Sequence, residues 1–242
     1  MARSPAHGSL VNQMLAMLPE DVRGRILPEL EPVPLALGKV LYEANESLSH
    51  VYFPTTVIVS LLYTMENGRS AEMAVVGRDG VVGIAVFMGG DTAPNQAVVT
   101  SAGEAYRLKI EHFRDEFRRV GDLHRLLLLY TQALLTQMSQ TAVCNRLHSV
   151  EQQLCRWLLL SHDRHISDEL VMTQELIADI LGVRREGVSV AAHRLQDDHL
   201  IHYKRGHITI VDRRGLEARV CECYKVVKTE CDRLLSSRLD YS

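Results

Sequence analysis
The segment from Thr173 to Leu195 constrains the fold of this chain most, because its apolar residues repeat at helical spacing on both sides of one glycine. Leu176, Ile177, Ile180 and Leu181 form one stripe, and Val188, Ala191, Ala192 and Leu195 form a second. Each helix therefore has one face for a shared core. Thr173 suits the N-cap of the first helix, Ala178 is small where the helices cross, and Gly182 can take the left-handed conformation that ends a helix. These residue types meet the demands of a helix-turn-helix, and they make double-stranded DNA the leading partner. A helical hairpin in an ordinary all-α core has similar stripes, and the residues that follow argue against it.

With Val188 on the core side and about 100° per residue, Glu186, Val190 and His193 point away from the core, with Arg185 and Ser189 on the flank. Glu can accept from cytosine N4, Arg can pair with guanine O6 and N7, and Val190 can touch a thymine methyl. After Leu200 the pattern changes to two short β-prone runs, Ile201–Lys204 and His207–Val211, joined at Arg205-Gly206. That arrangement is a wing behind a recognition helix. From Arg184 to Arg214 there are seven Lys or Arg against four acids, although the whole chain carries a net charge of -3. The local excess fits phosphate contact, and a solvated charged face would carry it equally. The expected DNA-binding residues are Thr173, Arg184, Arg185, Glu186, Ser189, Val190, His193, Lys204 and Arg205.

At 242 residues and 46% hydrophobic, the chain is long enough for two cores. Pro32 to Ile110 reads as short strands: Lys39–Tyr42, His50–Phe53, Val57–Thr64, Ser70–Val76, Gly80–Val86, Asn95–Thr100 and Ala105–Leu108. Asn67-Gly68 predicts a two-residue primed hairpin turn, and Gly77-Arg-Asp-Gly80 a tight connection. Leu123 to His148 is leucine-rich with few breaks and predicts a long helix. On it Leu127, Thr131, Leu134, Met138, Thr141 and Asn145 form one stripe, with Leu126, Leu129, Tyr130, Ala133 and Val143 beside it. One face can pack on the strands and another on a second copy of the helix, which predicts a homodimer; burial within a monomer is the alternative. The domains expected are residues 1–120, 121–149 and 150–242. The first nine residues lack an apolar core and no run spans a membrane, so a cytoplasmic location without membrane partners is expected.

A β-roll, a long helix and a winged helix-turn-helix in this order resemble the Crp/Fnr family of bacterial transcription regulators. The resemblance covers nearly the whole chain and is most specific at Gln174-Glu175, Ala178, Leu181-Gly182, Arg185-Glu186, Val188 and Leu195. It implies an α+β fold with an antiparallel β-roll sensor domain, a long dimerisation helix and a C-terminal winged helix-turn-helix. It also implies base reading by Arg185 and Glu186, with RNA polymerase and a small-molecule effector as further partners. Where the family has a second arginine one turn later, this chain has Val190. In cyclic-AMP-binding members a Gly-Glu-Leu segment and an Arg-Ser pair hold the ribose and the phosphate. The aligned effector-pocket residues here are Gly83, Ile84, Ala85, Asn95 and Gln96, which provide neither the carboxylate nor the cation. Cyclic AMP bound in the usual way is therefore not expected, no cofactor is assigned, and the effector stays unidentified.

The family's iron-sulfur option needs N-terminal cysteines, and the five cysteines here begin at Cys144. Cys221 and Cys223, read as i and i+2 on one helix, would point apart, so no metal site is assigned. Haem on a lone histidine such as His50, His112 or His124 stays open. No phosphate loop, ligand quartet or nucleophile motif suggests an enzyme, and His162-Asp-Arg-His165 reads as a polar loop. The alternative to a regulator is a ligand-binding module that no longer binds DNA specifically.

Overall fold
Val, Ile, Tyr and Phe are concentrated between Glu31 and Lys109, and they pair into two antiparallel sheets in the computed structural model, which describes residues 12–165 and 167–235. Two short helices, α1 (Gln13–Met17) and α2 (Glu20–Ile26), precede the sheets. The strands are β1 (Glu31–Leu35), β2 (Val40–Tyr42), β3 (His50–Pro54), β4 (Ile58–Thr64), β5 (Ser70–Val76), β6 (Gln96–Ser101) and β7 (Gly103–Lys109). One sheet has the order β1-β7-β3 and the other β2-β6-β4-β5, and the space between them is filled by Val51, Phe53, Val59, Val99 and Leu108.

Three expectations for this region are corrected. β1 is a strand beyond those expected, and its Pro32 and Pro34 are tolerated because it is an edge strand that need not donate on both sides. Gly80–Val86 is not a strand. Only Val82 pairs, with Tyr52, after which Gly83 at φ 109° turns the chain into the short helix α3 (Ala85–Met88). The β4–β5 loop is not a two-residue primed turn, since Met65 N–H donates to Arg69 C=O at 2.8 Å across Glu66, Asn67 and Gly68. Gly68, at φ 79°, supplies the left-handed residue that a three-residue hairpin loop requires.

Helix α4 (Ile110–Arg118) leads into α5 (Asp122–Leu147), the long helix expected over this stretch. Its inner face, Leu123, Leu126, Leu127, Tyr130, Ala133 and Leu134, is buried. Leu127, Leu134 and Thr141 thus lie inside the monomer, and the apolar residues left outward are Leu128, Leu135, Ala142 and Val143. Helix α6 (Val150–Arg164) follows, started by a capping box between Ser149 and Gln152. His162, Asp163 and Arg164 form its last turn rather than a loop, because Arg213 bonds to both His162 and Asp163 there.

The remaining elements are β8 (Glu169–Val171), α7 (Gln174–Leu181), α8 (Arg185–Asp197), β9 (Ile201–Lys204), β10 (His207–Ile210), α9 (Arg213–Arg219) and α10 (Glu222–Leu235). Strands β8, β10 and β9 form a third antiparallel sheet. Ile58 and Val75 of the larger sheet belong to the same apolar core as Trp157, Leu158, Ile177 and Leu195. Helix α10 lies along α5. No helix among the described residues is long and apolar enough to cross a membrane.

Where β5 meets α6, the fully buried Glu72 carboxyl accepts hydrogen bonds from Ser60 Oγ and, at 3.4 Å, from Trp157 Nε1. Burial pushes this carboxyl above its ordinary value of 4.5, although Ser60, Arg156, Trp157 and Arg164 pull the other way. The folded chain then holds a proton that the unfolded chain releases, so the stabilisation is complete below pH 4.5 and is lost as pH rises through the folded value. Glu72→Gln removes the ionisation and keeps an oxygen acceptor. In urea unfolding across a pH series, the wild type should lose stability relative to this variant as pH rises above 4.5; parallel curves would refute it.

Candidate DNA-binding face and effector region
The helix-turn-helix is built by its capping and its one glycine. Thr173 Oγ1 accepts from Leu176 N–H at 3.2 Å and starts α7, and Gly182 ends it at φ 66° with Val183 N–H bonded back to Ala178 C=O. Ile177, Ile180 and Leu181 are buried and Leu176 is half-buried, while Val188, Ala191, Ala192 and Leu195 of α8 are buried opposite them. Ala178 is buried at the crossing, as its size required.

On α8, Arg184, Arg185, Glu186, Val190 and His193 are exposed and Ser189 is half-buried, so the face left over from the core is the one expected to meet DNA. Arg184 occupies the N-cap position of α8 without a side-chain cap bond. Arg185 has only a loose ion pair with Glu175, at 3.8 Å. Among the described residues Arg184, Lys204 and Arg205 make no ion pair, which leaves three cations available to phosphate.

The wing turns at Arg205-Gly206, with φ of 52° and 82°, between the paired residues Lys204 and His207. Two consecutive positive φ values are the signature of a primed two-residue hairpin. Arg205 adopts this conformation at a cost that asparagine or glycine would avoid, and it stands exposed at the tip. A cleft of about 320 Å³ lies between α7, α8 and the wing, and Thr173, Arg185, His193 and Arg205 are among its walls. Gln174, Gln196 and Tyr203, none of them among the expected DNA-binding residues, line it too. Tyr203 fixes the wing, since its hydroxyl donates to Met172 C=O at 3.1 Å and its N–H to Gln196 Oε1 at 2.8 Å. The alternation along β9 placed Tyr203 opposite His202 and Lys204, which was the available signal.

In the β-roll, Gly83 stands buried beside Leu48 and Val51, whereas Asn95 and Gln96 reach Tyr42 and Glu43. The 91–93 segment bonds back to Asn45 and Leu48. Ile84 is half-buried and packs on the β-roll core, and Ala85 begins α3. Asn95 is buried with its amide donating to Tyr42 Oη at 3.2 Å, and the Gln96 amide donates to Glu43 Oε2 at 2.5 Å. Two amide groups thus stand where a cation would be needed, one of them facing a carboxylate. Arg107, on β7, is paired with Glu31 at 2.7 Å.

Residues 32–120 match the cyclic nucleotide-binding domain model, and residues 152–219 match the Crp-like helix-turn-helix domain model. The chain belongs to the Crp/Fnr family of transcription regulators. Similar solved structures include a Crp/Fnr-family transcriptional regulator from Eubacterium rectale, 16% identical, with a TM-score of 0.65 over 85% of this chain and 96% of that one. FixK2 from Bradyrhizobium japonicum is 18% identical, with a TM-score of 0.65 over 79% of this chain and 98% of the other. A CRP-family regulator from Thermus thermophilus is 17% identical, with a TM-score of 0.62 over 87% and 100%. No curated protein matches the sequence.

This Crp/Fnr-family chain is therefore a DNA-binding transcription regulator with a sensor domain. The match to the helix-turn-helix model ends at Arg219, so α10 lies beyond it. Because Thr173 caps α7, Thr173→Ala should cost about 1 kcal/mol of stability in urea unfolding. Thr173→Ser should restore it, and an unchanged alanine variant would show that the cap does not matter.

Proposed function
We propose that the protein acts as a homodimer reading a two-fold DNA site, with α8 in the major groove and the wing on the phosphate backbone, under control of an effector other than cyclic AMP held in the usual way. The observation that carries this reading is the exposed face of α8, where Arg185, Glu186, Val190 and His193 stand beside the exposed wing cations Lys204 and Arg205. That face sets groups able to pair with base edges beside cations able to meet phosphate, the two kinds of contact that a DNA-reading module combines.

The dimer is supported by α5. Leu128, Leu135, Val143 and Leu147 are 44–72% exposed, and Leu128, Leu135 and Ala142 recur every seven residues, the period of a two-stranded coil. A two-fold dimer places its recognition helices about one DNA turn apart, roughly 34 Å.

In this arrangement Arg185→Ala should weaken binding to the true site by about 1 to 3 kcal/mol and relax preference at one base pair per half-site. Lys204→Ala should weaken all duplexes alike and lower the salt slope by about one unit. Fluorescence anisotropy on matched and scrambled duplexes, with footprinting, measures both. A footprint without two-fold symmetry, or an Arg185→Ala variant with unchanged specificity, would overturn the assignment.

The effector reading rests on Ile84, Asn95 and Gln96, which offer no carboxylate to a ribose and no cation to a phosphate. Cyclic AMP should therefore give no tight binding by calorimetry and no change in DNA affinity. Low-micromolar binding would be evidence against it.

A further inference from the structure
Cys144, His148, Cys221 and Cys223 come from two distant parts of the chain and converge. Their ligand atoms all lie within 4.8 Å of one another. Cys144 is in the last turns of α5 and His148 follows its end. Cys221 precedes α10 and Cys223 is in its first turn, so the two are not i and i+2 of one helix, and the expectation that they point apart does not hold. Cys144 Sγ lies 3.6 Å from Cys221 Sγ, and Cys223 Sγ lies 3.7 Å from His148 Nδ1. A tetrahedral zinc ion, with Zn–S about 2.3 Å and Zn–N about 2.0 Å, separates paired sulfurs by about 3.8 Å and sulfur from nitrogen by about 3.6 Å.

The surroundings fit the same chemistry. His148 Nε2 faces Glu222 Oε2 at 3.4 Å, which leaves Nδ1 turned to the sulfurs and gives the other ring nitrogen a carboxylate, the usual outer partner of a metal-bound imidazole. The three thiols are buried. Cys144 and Cys221 are close enough for one thiol to donate to the other. Arg156 is buried, bonds to Thr141 at 3.0 Å, makes no ion pair among the described residues, and acts electrostatically on Cys144. A divalent ion with three thiolates and a neutral imidazole carries one negative charge, which this guanidinium offsets.

We propose that Cys144, His148, Cys221 and Cys223 bind one zinc-class divalent cation in a closed tetrahedral site that ties the end of α5 to the start of α10. Three sulfurs and one nitrogen favour zinc over oxygen-seeking cations, and four protein ligands leave no open position, so the site is structural. Binding releases the thiol protons to solvent. The joined segments flank the α5–α6 junction, so the ion fixes how the DNA-binding domain sits on the long helix.

The test uses the full untagged chain, purified without chelator under argon from zinc-supplemented medium. Elemental analysis should find about one zinc per chain. Exchange with cobalt(II) should give tetrahedral d–d bands and thiolate-to-cobalt charge transfer. Cys223→Ser and His148→Ala should lose the ion, and Cys231→Ser, outside the cluster, should keep it. Should the losing variants fail to fold, His148→Cys decides, because it should retain cobalt with added charge-transfer intensity. Trace zinc with no tetrahedral cobalt spectrum, full zinc in Cys223→Ser, unchanged charge transfer in His148→Cys, or a Cys144–Cys221 disulfide in the protein purified under argon would each overturn the proposal.

Discussion

The close approach of the chain after β5 to the two helices behind it is the constraint on which the rest of the structure depends. A Cβ on Gly77 would stand 2.4 Å from Arg164 Cβ, and one on Gly80 2.6 Å from Tyr130 Oη. Neither glycine is at positive φ, so what matters at both is the missing side chain rather than backbone freedom. Because the backbone passes so near α5 and α6, Ile58 and Val75 can enter the same apolar core as the helix-turn-helix. The sheet and the DNA-binding helices are consequently packed as neighbours. Gly182 shows the same closeness at the other side, with its own Cβ position 3.2 Å from Ala71.

Such a seam buries polar groups, and they are mostly satisfied by one another. Arg164 bonds to Leu160 C=O and to Gln137 Oε1, and its Nε stands 3.1 Å from Asp79 Oδ2 as an ion pair without hydrogen-bond alignment. Gln137 in turn donates to Val75 C=O of β5. Glu72 is held by Ser60 and Trp157 under the field of Arg156 and Arg164. A partly satisfied network of this kind stabilises less than an apolar seam of equal area would, but it accepts only one register between sheet and helices. Changing the charge on any member changes the others, which gives a sensor region a physical route to the helices that hold the DNA-reading face.

The helix-turn-helix was legible because every residue in it has one local job. Thr173 caps, Gly182 turns, Ala178 yields space, and the apolar stripes follow the helical period, so nothing outside the segment is needed to read it. Arg205-Gly206 was legible for the same reason, through its turn chemistry. The errors arose where tertiary contacts decide. β1 depends on being at a sheet edge, the 80–86 run depends on Leu48 and Val51 surrounding Gly83, and the outward stripe of α5 depends on which face the β-roll takes. The cysteine cluster was hidden because Cys144 and Cys221 are 77 positions apart, a separation that no local spacing rule spans.

The DNA-binding domain meets α5 along much of its length, through Glu230 at Gln132, Arg164 at Gln137, Arg156 at Thr141 and Cys221 beside Cys144. Gln137 and Cys144 are seven residues apart, about 10 Å along a helix, and Tyr130 and Cys144 about 21 Å. Helix α10 runs along α5 between these points and buries Tyr224, Val227 and Leu234. A domain held at several points along one helix cannot change its placement without loosening some of those contacts. An effector shifts the equilibrium between two placements only by binding them with different affinity. The β-roll reaches the same helix through Val75, whose carbonyl accepts from the Gln137 amide while the Gln137 oxygen accepts from Arg164, so β5, α5 and α6 meet at one side chain.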